Sequence, residues 1–209
     1  MADYIWDGAL DRFERNVCLP AGFIRSLAEE DDWGFVIKIH ALYESALTRI
    51  LATSCGDETL LDPFAKVSMR AKIAFCEAKN LFDPEDRKML RAISELRNQI
   101  VHTVAGVGFA FSEYLKKPDN KNKFVKVFAP VWTNVLDFGD GLKVDRATFC
   151  VENPKFTVWA WCRRILACVY LQQERKQLDY EVSQFNKAQA ARLKELLDEF
   201  KLKRSARET

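Results

Sequence analysis

Between Pro154 and the final Thr209 the chain contains no further proline and no glycine. Val158, Trp161, Cys162, Ile165, Cys168, Val169 and Gln172 follow the helical period there. Beyond Gln173 a more polar pattern continues through Leu178, Val182, Phe185, Ala188, Leu193, Leu196, Leu197 and Phe200. A stretch of that length without a breaker predicts one long helix, or two helices with a bend. The closing KLKRSARET is basic and is expected to fray.

The rest of the chain has the same helical grain. Ile5, Trp6, Ala9, Leu10 and Phe13 form the stripe of a first amphipathic helix over 2–17, which Pro20 and Gly22 break. A short second helix is expected within 21–30. Asp31 or Asp32 is placed to cap the next helix, 32–54. Its apolar residues Phe35, Val36, Ile39, Leu42, Tyr43, Ala46, Leu47, Ile50 and Leu51 cover a face broad enough for a bundle interior. Gly56 and Asp57 end it, and a further helix is predicted over roughly 64–80. Asp83-Pro84-Glu85-Asp86 supplies an N-cap, a proline at the first helical position and acids in the first turn, opening a helix at 84–103. Residues 106–153 differ, being rich in aromatics and turn formers. The alternation Lys123–Phe128 suggests a strand and FGDGLKV a hairpin turn. This organisation predicts an N-terminal helical extension at 1–30 and a helical domain at 31–209 that carries an insertion at 106–153.

Composition narrows the function classes. With 48 % hydrophobic and 30 % charged residues the chain has a globular profile. Six scattered cysteines without a CxxC pair are expected to be reduced, mostly buried thiols, as in a cytoplasmic protein, and offer no zinc-ligand spacing. The acidic start MADYIWDGAL lacks the apolar region of a secretory signal, and no apolar run is long enough to span a membrane. Residues 1–32 carry eight acids against three arginines, whereas residues 155–209 carry twelve bases against seven acids. That polarity suits either the orientation of two subunits or polyanion binding; solvated helix faces of opposite sign explain it as well.

The segment RAISELRNQIVHT, 91–103, holds Arg97, Asn98 and His102, and His102 is one of two histidines. Asn98 and His102, four apart, share a helix face. Arg97 lies about 140° from His102, and its length lets it reach that face. A histidine can serve as general acid or base, and an arginine can clamp phosphate oxygens. RNA supplies its own 2′-hydroxyl nucleophile, so this set suits metal-independent phosphodiester cleavage. One histidine does not act conveniently as acid and base at once; a symmetric dimer would bring a second. A helical histidine that serves only as a structural hydrogen-bonding residue has the same local signature.

The run R-N-Q-I-V-H at 97–102 resembles the R-x4–6-H motif of the HEPN superfamily, in which a polar residue, often Asn, follows the Arg. FVIKIHALYESALTRIL before it, with its mid-helix acid, and the KVSMRAKIAFCEAKNLF segment stand in the order of the mannitol operon repressor-like branch. The resemblance spans roughly residues 30–104. It implies an all-α HEPN-like bundle; the long C-terminal helix and the irregular, β-containing insertion at 106–153 are read from the residues and lie outside the resemblance. It also implies a homodimer with facing motifs and metal-independent endoribonuclease activity on RNA, in the manner of toxin or defence effectors. Other members are non-catalytic regulators or modules that bind nucleic acid or protein. Carried over, Arg97 and His102 are catalytic, Asn98 orients them, and Glu44 on the preceding helix buttresses Arg97. No cofactor or metal is implied. Toxins paired with nucleotidyltransferase antitoxins have a Tyr two residues past the His; Val104 stands there, so the residue modified in that subgroup is missing, while an antitoxin or regulatory protein remains a partner that the resemblance implies.

Two further groups have a double reading. Lys116, Lys117, Lys121 and Lys123 can guide RNA phosphates or form a solvated turn. Trp159 and Trp161 beside Arg163 and Arg164 can stack bases or fill a core. His40, on a largely apolar helix, is expected to be packed.

Overall fold

The computed structural model describes residues 2–102, 104–137 and 143–205, with side chains within 8–102, 106–137 and 143–194. The chain divides into two units, residues 1–171 and 172–209.

The first unit is a helical bundle. Helix α1, Ala2–Asn16, turns through Cys18 into the short α2, Phe23–Ser26. The buried Glu14 makes that turn: its two carboxylate oxygens accept the N–H groups of Gly22 and Ile24, each at 2.7 Å. Those donors lie at the start of α2, where no earlier carbonyl can take them. Gly22 has φ 79, a conformation that costs glycine least.

Helix α3, Asp32–Cys55, is the spine. The Asp31 side chain caps it, accepting the Gly34 N–H at 2.8 Å. Asp32 instead takes the Phe111 N–H at 2.8 Å and pairs with Lys155 at 3.0 Å. Phe35, Val36, Ile39, Tyr43, Leu47, Ile50 and Leu51 are buried along α3 as their spacing predicts. Around it pack α4 (Leu61–Ala65), α5 (Met69–Ala78) and α6 (Pro84–Val101). The helix predicted at 64–80 is therefore two, because Ser68 adopts an extended backbone and caps α5 through the Ala71 N–H. Asp83 occupies the N-cap position of α6, but its side chain makes no capping bond and faces Arg164 at 3.8 Å.

Segment 106–153 builds further core. It contains α7 (Phe111–Tyr114), α8 (Pro118–Phe128), the antiparallel pair β1 (Val135–Asp137) and β2 (Lys143–Asp145), and α9 (Arg146–Glu152). The strand expected at 123–128 is helix instead. Strand alternation would put Lys126 on the same face as Phe124 and Phe128, whereas helical spacing stacks the two phenylalanines, both buried, and leaves Lys126 exposed. Phe111 meets Phe124 edge to face at 5.8 Å. The two strands flank the predicted hairpin; its turn, 138–142, lies outside the described residues, as do the end of the tail, 206–209, and the side chains of Ile5 and Trp6.

Helix α10, Pro154–Ser205, begins in this unit. Trp161 is fully buried and donates its indole N–H to the Phe128 carbonyl at 2.7 Å; Trp159 donates to Ile24 at 2.8 Å. Cys162 packs against Tyr43, and its burial pushes the thiol up to about 12. The six cysteines are free thiols. The second unit is the remainder of α10, and the side chains of 174–194 are all exposed. No helix among the described residues is long and apolar enough to cross a membrane.

Candidate active site

Helix α6 presents the motif. Met89, Leu90, Ile93, Leu96 and Ile100 bury one face, which fixes the rotation of the helix. Arg97 is then half-buried at the edge of that face, and Asn98 is exposed. Arg97 Nη1 donates to Asn98 Oδ1 at 3.1 Å, so the neighbouring amide orients the guanidinium. His102 is the exposed C-cap of α6, with φ −86 and ψ 2, as expected from the free carbonyls that end a helix. It makes no hydrogen bond or ion pair among the described residues.

Helix α3 supplies the other side. His40 and Glu44 lie one turn apart, with Nδ1 at 3.7 Å from Oε2. His40 is 6 % exposed, and burial is the main reason its pKa falls below the ordinary histidine value. Glu44 opposes that shift, while Arg97 and Lys72 reinforce it. The charges of Arg97 on α6 and Lys72 on α5 thus act on an imidazole of α3. Lys72 is itself only 2 % exposed.

The residues expected at the site therefore divide. Arg97 and Asn98 touch, and Glu44 stands beside His40 in the same electrostatic neighbourhood as Arg97. His102 stands apart on the helix end. His40 is packed, as expected, but its charged surroundings were not foreseen. The i, i+4 spacing of His40 and Glu44 is a sequence signal that could have raised it; nothing in the pattern of α5 marks Lys72.

The four lysines also divide. Lys116 pairs with Glu113 and Lys123 with Glu95 on α6, both at 2.6 Å. Lys117 is exposed at the N-cap position of α8. Lys121 lines an open groove of about 530 Å³ with Asn122, Val125 and Lys126 of α8 and Thr148 and Val151 of α9. Trp159 and Trp161 are structural in the first instance, with Arg163 and Arg164 stacked on them at 4.7 and 4.9 Å. Arg164 also reaches the buried carboxylate of Asp86 at 3.3 Å.

Compared with family models, curated proteins and solved structures, the chain finds no match in any of the three.

Proposed function

We propose that this chain is a metal-independent endoribonuclease of the HEPN type, acting as a homodimer. Arg97 holds the scissile phosphate. His102 of one protomer takes the proton of the 2′-hydroxyl, whose oxygen attacks phosphorus. His102 of its partner protonates the departing 5′-oxygen, leaving a 2′,3′-cyclic phosphate and a 5′-hydroxyl. Asn98 orients Arg97. The carrying observation is the Arg97–Asn98 contact near His40: the charges of Arg97 and Lys72 act on that buried imidazole against the one carboxylate of Glu44, a net positive environment that favours a phosphodiester anion. Lys117 and Lys121 are candidates to steer the RNA. A role as a toxin or defence effector, neutralised by a protein partner, follows from the family resemblance.

The test is cleavage of RNA in EDTA by the wild type and by His102→Ala and Arg97→Ala. Each variant should lose activity by about a hundredfold or more. Intact RNA with the wild type, over a wide range of pH and substrates, overturns the reading.

A second reading has one observation in its favour: among the described residues no acid or base pairs with His102. In that reading the same surface is a non-catalytic module that binds nucleic acid or protein, and RNA would be retained but not cut.

A further inference from the structure

Among the described residues the buried polar side chains are satisfied within the chain, with one exception. Glu14 accepts two backbone N–H groups. Thr48 donates to the Glu44 carbonyl and Thr157 to that of Asn153. Asp86 faces Arg164 at 3.3 Å, and His40 faces Glu44 at 3.7 Å. The exception is Lys72. It is the one buried lysine or arginine of the described residues, and no hydrogen bond or ion pair holds its ammonium.

Its place in the helix makes this unusual. Lys72 lies on the buried side of α5 with Met69, Ile73 and Cys76. An apolar residue would pack there without penalty, whereas an ammonium short of both water and a counter-charge is strongly unfavourable. The ammonium is not one of the fully enclosed polar atoms, so the tip of the side chain reaches the surface. At 2 % exposure it is poorly hydrated yet open to a ligand. Its surroundings are basic. Helices α3, α5 and α6 pack on one another, and the charges of Lys72 and of Arg97 from α6 both act on His40 of α3. Arg97 has no carboxylate partner either, its hydrogen bond going to Asn98. Glu44, the one acid acting on His40, already faces that ring. Two cations without acids are completed by an anion from outside. Donors on separate helices match a tetrahedral oxyanion better than a carboxylate, whose two oxygens lie in one plane.

We infer that Lys72 binds a phosphate group where α3, α5 and α6 meet, beside His40 and together with Arg97. Lys72 thus adds a phosphate ligand from outside the motif helix. The inference deepens the reading of Arg97 given above and rests on it for the choice of phosphate.

Inorganic phosphate, exchanged against chloride at constant ionic strength, is the first probe. The imidazole signals of the two histidines are assigned with His40→Gln and His102→Ala and followed by NMR. Phosphate bound beside His40 stabilises its charged form, so saturating phosphate should move the His40 titration to higher pH. Glu44, Lys72 and Arg97, the charged groups that act on His40, are present in both conditions, so the change reports the anion. Lys72→Met and Arg97→Met should each weaken phosphate binding at least tenfold. Lys66→Met, at the exposed C-cap of α4, should bind as the wild type. If Lys72→Met fails to fold, Lys72→Gln decides. A wild-type His40 indifferent to phosphate, or full binding in a folded Lys72 variant, overturns the inference. A deoxydinucleotide that displaces phosphate assigns the site to chain phosphodiesters, and one that does not assigns it to free or terminal phosphate; the inference stands in both cases. RNA cleavage in EDTA is read alongside. Phosphate bound through Lys72 with RNA left intact removes the ribonuclease and keeps the site, whereas RNA cut by a protein whose phosphate binding ignores Lys72 does the reverse.

Discussion

His40 links burial to pH at the scale of a single residue. Burial lowers its pKa, Arg97 and Lys72 push the same way, and Glu44 opposes them. The unfolded chain therefore binds a proton that the folded chain resists. Stability from the neutral imidazole is fully present above the ordinary value of 6.5 and is lost as pH falls through the lowered folded value. Urea denaturation at steps from about pH 7.5 to pH 5 should show wild-type stability falling with acid and a shallower fall in His40→Gln. Equal slopes for the two proteins would remove this account. The same environment explains why His40 was legible only as a packed residue: its basic neighbours, Lys72 and Arg97, come from α5 and α6, far away in sequence.

At the scale of elements, the end of α6 positions His102, and the turn that follows lies tightly against it. A Cβ added at Gly106 would collide with the Ile100 carbonyl in the last turn of α6. Because that atom is backbone, relief requires movement of the helix end itself. Gly106→Ala should destabilise the protein by on the order of 2 kcal/mol, seen as a lower thermal midpoint, and should reduce any RNA cleavage through displacement of His102. An unchanged midpoint would show that the turn yields freely. Helix α8 gives the complementary lesson. Its period of two was a coincidence of Lys and Val between two phenylalanines, and the core chose the helix because that alone buries Phe124 and Phe128 together.

Across the whole molecule the two units differ in what supports them. The first has a continuous apolar core drawn from α1 to the start of α10. The second has exposed side chains throughout 174–194. Amide exchange should separate them. At low concentration the amides of 174–194 should exchange orders of magnitude faster than those of α3 and α6, because local opening there exposes almost no apolar surface. Equal protection in both units at low concentration would contradict this division.

The sequence by itself determined the helical class, the spine of α3, the start of α6 and the breaker-free length of α10, since each depends on local spacing, caps and breakers; the structure chose Asp31 over Asp32 as the cap and one helix over two for α10. It also exposed Arg97, Asn98 and His102 as a set on one helix. Only the tertiary structure decided that α8 is a helix, that segment 106–153 feeds the core, and that His40 and Lys72 join Glu44 beside Arg97. Those outcomes depend on which distant faces meet, and a local pattern carries no record of that. Within α10 the division is clearest: the breaker-free length is written in the sequence, but only the fold reveals that its first part is buried and its second part exposed.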